Sequence, residues 1–537
     1  MMPEEFKQIV KDRVRVFEDG GIRLLKKGKR GIIRAVFGRT GLVLALFFVQ
    51  VLLLFSVFRW FTALVPHLLG GSIAFTAVMV IYLLNSDMDN SAKITWLVVI
   101  ALVPVLGVVL FWWTKGEVGH RMLKRRLKQL EQDTREQLPQ DAQTLERLKA
   151  QESGAASLAC YLRGKGGGFP VYENTAVTYF PSGEAKFAEL LCQLEKAKQY
   201  IFLEYFIIDE GLMWGRVLEV LARKAAEGVH VRVMYDGTCE FTTLPRDYPK
   251  RLERLGIACK VFSPLMPFVS THYNYRDHRK VLVIDGKVGF TGGVNLADEY
   301  INHVEKFGRW KDAAVMLEGE AVRSLTASFF ELWNVTTKED EDFARYLNIC
   351  HKVTSEGFVQ PFNDNPLSEE RTAENVYLNL IAQAEKTLYI TTPYLIITDE
   401  MSRALRLAAK RGVDVRIITP GIPDKKVVFA ITRSYYSGLA RQGVRIFEYT
   451  PGFCHAKQCL CDGKIASIGS SNFDYRSLYH HFENDVLLYG CDAIGDMARD
   501  FDVLFSQCTE VTQRYSTGSG AILRIWQCIL RLFAPLV

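Results

Sequence analysis

Two stretches of the chain carry the same polar residues at the same spacing. In "HRKVLVIDGKVGFTGGVN", His278, Lys280, Asp285, Gly292, Gly293 and Asn295 stand at relative positions 0, 2, 7, 14, 15 and 17. In "HAKQCLCDGKIASIGSSN", His455, Lys457, Asp462, Gly469, Ser470 and Asn472 stand at the same positions. Alternation along a strand puts His278 and Lys280 on one face, and likewise His455 and Lys457. If the two stretches meet about a pseudo-twofold axis, one pocket receives two imidazoles, two ammonium groups and two amides. Fixed ammonium groups and amide donors suit a phosphate whose charge grows in the transition state. Two imidazoles can divide the work. One attacks phosphorus, while the other protonates the leaving oxygen and then activates the acceptor. Small residues at Gly293 and Ser470 allow close approach. This chemistry needs no metal or organic cofactor, and no carboxylate cage for a metal is evident.

The acids of the pattern divide into two kinds. Asp285 and Asp462 complete each motif and so join the candidate catalytic set. Each precedes a turn, however, and bracing that turn is the favoured role. A better orienter for each imidazole lies downstream. "DAAVMLEG" (312–319) aligns with "ENDVLLYG" (483–490), which makes Asp312 and Glu483 equivalent acids on equivalent strands. A carboxylate on the second ring nitrogen fixes the tautomer and stabilises imidazolium.

The elements that must hold these residues are themselves duplicated. "KQYIFLEYFII" (198–208) matches "KTLYITTPYLII" (386–397), and both read as buried strands. "KAAEGVHVRVMYDG" (224–237) matches "AAKRGVDVRIITPG" (408–421). There a helix ends at Gly228 or Gly412 and a strand follows. Strand and helix alternate in both halves, which implies α/β layers around a parallel or mixed sheet. A period near 180 residues excludes a solenoid, whose repeats are far shorter. The expected organisation is domain 1 over residues 155–345 and domain 2 over residues 346–516.

Upstream the composition changes. Residues 41–58, 61–84 and 94–113 are apolar, and basic clusters lie on both sides, in residues 1–40 and 115–128. Such bracketing implies a membrane region over residues 41–113. Two spans, with 41–58 shallow or re-entrant, agree with the positive-inside tendency and place the large domain in the cytosol. Three spans remain open. Residues 114–154 read as a polar helical linker and residues 517–537 as an amphipathic helix, lying on a membrane or on the protein's own core. The chain has 537 residues and a net charge of +6, too modest for a dedicated nucleic-acid binder. Its 11 cysteines form no CxxC pair. Cys454, Cys459 and Cys461 fit no common zinc spacing, and reduced thiols are the simplest reading.

With both motifs quoted, the chain resembles the phospholipase D superfamily through an HxK(x)4D(x)6G(G/S)xN pattern that occurs here twice. It is similar, more narrowly, to the bacterial cardiolipin synthase family. "ITWLVVIALVPVLGVVLFWW", "FLEYFIIDEG" and "NFDYRSLYHHFEND" carry that closer likeness. The resemblance implies two α/β domains sharing one active site. It implies phosphatidyl transfer between two phosphatidylglycerol molecules through a phosphohistidine. It assigns the nucleophile to His278 and the acid/base to His455, which the symmetry of the motifs leaves open. Lys280, Lys457, Asn295 and Asn472 would hold the phosphate, and Glu204 and Tyr205 would line the pocket. Phospholipases and nucleases share these motifs. Water as acceptor would give a hydrolase, and a membrane scaffold without turnover is the remaining alternative.

Overall fold

The computed structural model describes residues 118–517 apart from 264–274, 338–340 and 350. It also describes residues 71–102 apart from 87 and 89, and scattered short pieces elsewhere. Two sheets dominate. The first holds β1 (Thr175–Phe180), β2 (Tyr200–Tyr205), β3 (His230–Asp236), β4 (Ala258–Phe262), β5 (Lys280–Ile284), β6 (Val288–Gly292) and β7 (Ala314–Gly319). Its order is β1-β7-β6-β5-β2-β3-β4. The second holds β8 (Phe358–Asp364), β9 (Thr387–Thr391), β10 (Asp414–Pro420), β11 (Arg445–Tyr449), β12 (Gln458–Cys461), β13 (Ile465–Gly469), β14 (His481–Tyr489) and β15 (Cys508–Glu510). Its order is β8-β14-β13-β12-β9-β10-β11-β15. Strand for strand the first seven places correspond. In both sheets the last two of those seven pair parallel with their neighbours and the rest pair antiparallel. The duplication read from the sequence is thus a duplication of topology, and the sheet is mixed.

Local sequence explains the frame. Helix α1 (Leu212–Ala226) buries Met213, Trp214, Val217, Leu218 and Leu221, one stripe of a 3.6-residue period. The carboxylate of Asp298 accepts hydrogen bonds from the N–H groups of Leu212 and Met213 at 3.0 and 2.9 Å, satisfying two open donors of its first turn. Gly228 follows with φ +91°, a left-handed stop that glycine alone takes without strain. Its counterpart α2 (Asp399–Lys410) starts at Thr398, whose hydroxyl accepts from the N–H of Met401, and stops before Gly412 with φ +96°. One apolar core draws on both sheets, with Phe202, Val281 and Val315 from the first and Leu460, Ile468 and Val486 from the second. Two further cores cover the outer faces, one on each sheet. The two halves therefore meet across a continuous buried layer.

The expected membrane region is only partly within the described residues. Residues 41–58 lie outside them except for Leu52 and Ser56. Helices Gly71–Leu84 and Asn90–Leu102 have 14 and 13 residues, about 20 Å each at 1.5 Å per residue. No helix among the described residues is long and apolar enough to cross a membrane. The polar linker is helical, over Val118–Gln137 and Ala142–Gln151. Of the C-terminal segment, Leu530 packs beside Ile431 and Tyr475, and the Arg531 guanidinium donates to Ser434. That part docks on the protein's own body.

Candidate active site

Both motifs are built alike. The Asp-Gly pair between β5 and β6 takes left-handed backbone, with φ +50° at Asp285 and +63° at Gly286. Asp462 and Gly463 repeat it at +52° and +64°. The Asp285 carboxylate accepts from the N–H groups of Lys198, Gln199 and Tyr200 at 2.7–2.8 Å. Asp462 does the same for Glu385, Lys386 and Thr387, also at 2.7–2.8 Å. Each carboxylate is fully engaged in pinning the turn to the start of the neighbouring strand. The structure thus places Asp285 and Asp462 in the bracing geometry.

Each histidine is held by the opposite half. The N–H of His278 donates to Phe482 O at 3.0 Å, and the N–H of His455 donates to Lys311 O at 2.7 Å. The short strand Arg276–Asp277 runs parallel to His481–Phe482, and Gly452–Cys454 runs parallel to Arg309–Lys311. These contacts carry each ring to the acid that follows. Nδ1 of His278 lies 3.0 and 2.9 Å from the two carboxylate oxygens of Glu483. Nδ1 of His455 lies 2.7 Å from Asp312 Oδ2. The acids chosen by alignment thus stand against the second nitrogen of each ring, and they are exchanged between halves. With Nδ1–H donating to a carboxylate, Nε2 of each ring carries the free lone pair.

Electrostatics follow from burial. His278 and His455 are 6% and 7% exposed, and both acids are fully buried. Burial, with Lys280 adding to it, holds His278 well below the usual imidazole range against the pull of Glu483. Burial and Lys457 bring His455 to about 4. Burial disfavours the ionised acids, yet Asp312 stays below its ordinary value because of His455, and Glu483 well below because of His278. Both rings are therefore neutral at pH 7 beside ionised carboxylates. The ammonium groups of Lys280 and Lys457 each donate to the carbonyl of their own histidine. Burial lowers them to about 7 and about 8, with Glu483 and Asp312 respectively opposing the shift most. Lys457 also lowers Lys280, and Lys280 lowers His455 in the opposite half, so both halves feed one charge cluster.

The remaining expectations divide. Asn472 is buried at the end of the second motif and leaves its Oδ1 without a hydrogen-bond partner among the described residues. Asn295 is committed: its Oδ1 accepts from the N–H of Ile207 at 3.1 Å and its Nδ2 donates to the Tyr300 hydroxyl at 2.7 Å. Gly293 and Ser470 serve the acids. A Cβ on Gly293 would stand 2.1 Å from Asp312 Oδ1, while the Ser470 hydroxyl donates to Glu483. Tyr205 is opposite Lys280 in register and shares its face, but its hydroxyl is buried against the Lys186 ammonium at 3.3 Å. Glu204 corrects the expectation outright. Strand alternation points it to the other face of β2, where Arg279 is 3.9 Å away and burial pushes its carboxyl well up. It does not line the pocket.

Sequence reasoning missed the rings flanking the histidines. His481 stands beside His278 with ring centroids 5.1 Å apart, and Trp310 stands 5.3 Å from His455. Each lies two residues before an orienting acid, so period-2 alternation from Glu483 and Asp312 was the available signal. Cys454, Cys459 and Cys461 are buried free thiols; burial pushes Cys454 and Cys461 up to about 12.

Comparison with known proteins agrees with this arrangement. Residues 190–333 and 377–505 match the family model described as cardiolipin synthase, PLD-like domain, which takes in both motifs. A cardiolipin synthase of Alkalihalophilus pseudofirmus is 32% identical over 482 residues, 89% of this chain and 95% of that one. Cardiolipin synthase 1 of Bacillus anthracis is 32% identical over 517 residues, 91% and 99% of the two chains. An uncharacterized protein of Streptococcus mutans is 51% identical over 459 residues, 85% and 99%. The phosphatidylserine synthase of Haemophilus influenzae shares the fold, with a TM-score of 0.53 at 16% identity over 68% of this chain and 94% of that one. Doubled motifs, crossed histidine–acid pairs and the matching family model converge: the chain belongs to the cardiolipin synthase family of the phospholipase D superfamily.

Proposed function

We propose that this chain is a phosphatidyltransferase that makes cardiolipin and glycerol from two molecules of phosphatidylglycerol. Nε2 of His278 attacks phosphorus, and the bond from phosphorus to the glycerol oxygen breaks. His455 gives its Nε2 proton to that oxygen and glycerol leaves. His455 then takes the proton of a hydroxyl on the second phosphatidylglycerol. That oxygen attacks phosphorus, the P–N bond breaks, and His278 is restored.

The first step needs a charged His455, whereas burial favours the neutral ring in the free protein. A phosphodiester brings negative charge to the same place and favours imidazolium, so the acid charges as donor binds. Lys280, Lys457 and Asn472 supply the phosphate donors. The observation that carries this reading is the pair of crossed anchors, Glu483 on His278 and Asp312 on His455. Relatives named cardiolipin synthase favour an alcohol over water as acceptor.

The same reading assigns residues 155–345 and 346–516 to duplicated domains and keeps residues 41–113 at a bacterial membrane, with the catalytic body in the cytosol. Exposed Val78, Ile81, Leu84 and Ile94 support lipid contact. The test is product analysis of the purified protein with phosphatidylglycerol in detergent. Cardiolipin plus glycerol is expected, and phosphatidic acid alone would make the protein a hydrolase. His278→Ala abolishes covalent labelling, while His455→Ala retains part of it. Equal labelling of both variants refutes the division of roles.

A further inference from the structure

Beside the nucleophile stands an imidazole that the transfer reaction does not use. His481 shares a face of β14 with Glu483 and is 7% exposed. Its Nδ1 is buried with no hydrogen-bond partner among the described residues, 3.5 Å from Glu483 Oε1. At that distance the buried nitrogen is only weakly satisfied by the carboxylate, and it has room for a stronger partner. One nitrogen of each ring and a Glu483 oxygen all lie within 4.8 Å of one another, and Nδ1 is the nitrogen that each ring turns toward Glu483.

We propose that His278, His481 and Glu483 bind a divalent transition-metal ion of the zinc type, and that the bound ion switches the enzyme off. Two imidazole nitrogens and one carboxylate oxygen form a three-ligand zinc set with a fourth position open to water. Magnesium and calcium prefer all-oxygen shells and are excluded. Bonds of about 2.0–2.1 Å in a tetrahedral shell put ligand atoms about 3.3 Å apart. Glu483 Oε1 stands 3.0 Å from Nδ1 of His278 and 3.5 Å from Nδ1 of His481, separations that already bracket that spacing. Small side-chain rotations close the rest.

The inhibition follows from tautomer chemistry and rests on His278 as nucleophile, whereas the binding does not. A metal on Nδ1 takes the lone pair there and displaces the hydrogen bond to Glu483. The single proton of the neutral ring then sits on Nε2, having exchanged through solvent. Nε2 keeps no lone pair, and no bond to phosphorus can form. The capture is one-sided, because Trp310 occupies the corresponding place beside His455 and offers no ligand.

The test is a Co2+ titration of the untagged full-length protein in detergent, followed by the visible bands of four-coordinate Co2+. One saturable equivalent, displaced by Zn2+, is expected. His481→Asn and His278→Asn each weaken binding by more than about tenfold, while His455→Asn leaves it unchanged. Either ligand variant suffices if the other fails to fold. In parallel, stoichiometric Zn2+ stops turnover, a chelator restores it, and His481→Asn requires more than about tenfold more Zn2+. Absent bands, or equal affinity in both ligand variants, overturn the site. Bound metal with full turnover overturns the off-switch. Metal-free protein that makes no cardiolipin fails the transferase reading and leaves Co2+ binding to be judged by its own spectrum.

Discussion

Glu483→Gln tests the anchor on His278 while keeping its shape. The carboxylate holds Nδ1–H through both oxygens at 2.9–3.0 Å and also takes the Ser470 hydroxyl. A hydrogen bond to a charged group contributes about 1.5–3 kcal/mol. The phosphorylated ring bears positive charge, and a unit charge about 4 Å away stabilises it by about 4 kcal/mol at an effective dielectric of 20. The two effects overlap, so a barrier increase of about 3–5 kcal/mol is expected. That is a fall in kcat of about 10²- to 10⁴-fold. The amide can also donate to Nδ1 and trap the ring with its proton on Nε2, which acts in the same direction.

The assay separates the two halves of the reaction. Alkaline-quenched labelling of the enzyme by phosphatidylglycerol reports phosphohistidine formation, and steady-state product reports turnover. Glu483→Gln should slow labelling and turnover together. Asp312→Asn should slow turnover while labelled enzyme still forms, because its partner is His455. If Glu483→Gln turns over within threefold of the parent protein, the anchor does no catalytic work and the crossed-pair argument is wrong.

Other outcomes follow from the same geometry. Gly293→Ala places a Cβ 2.1 Å from Asp312 Oδ1, so it should push the acid off His455 and lower kcat at least about 100-fold with the protein still folded, as read by kinetics beside circular dichroism. Asp462→Asn keeps a residue that tolerates positive φ but loses charged acceptance of three N–H groups; it should cost about 1–3 kcal/mol in denaturant unfolding and leave kcat within a few-fold. Lys280 and Lys457 sit near 7 and 8 instead of about 10.4, so the free enzyme loses its ammonium charges as pH rises through that window, and kcat/KM should fall there. Their contribution to stability runs the opposite way: between the folded values and about 10.4 the unfolded chain binds more protons, so stability from these groups rises with pH, measurable by unfolding at pH 7 and 9.

Much of this was legible because duplication supplies its own control. Matching offsets in two copies singled out the histidines and lysines, and aligning the strands that follow exposed Asp312 and Glu483. The exchange of acids was not legible, since it depends on the parallel pairing of 276–277 with 481–482 and of 452–454 with 309–311, contacts between residues some 150–200 positions apart. Glu204 misled because "FLEYF" reads as a motif when only one side of the strand faces the pocket. Asn295 was not legible as a committed side chain, because Ile207 and Tyr300, which take both ends of its amide, are not marked by the motif. In the apolar N-terminal region the pattern speaks to the solvent of each segment, and a hydropathy run carries no tertiary contacts from which to count spans.

The two anchors are equivalent but not identical, and that difference suits the two roles proposed for the histidines. Glu483 is one methylene longer than Asp312. It reaches His278 with both oxygens and is steadied by the Ser470 hydroxyl. The shorter Asp312 reaches His455 with one oxygen, takes the N–H of Ala313 at 2.8 Å with the other, and needs Gly293 to leave it room. A carboxylate spread over both oxygens suits a ring that must carry a phosphoryl group and a lasting positive charge. A single short bond suits a ring that must give and regain a proton in each cycle. Since each half supplies the ring for one role and the acid for the other, neither half alone holds an oriented histidine. Separately expressed halves should therefore regain activity only on mixing, in proportion to the complex they form.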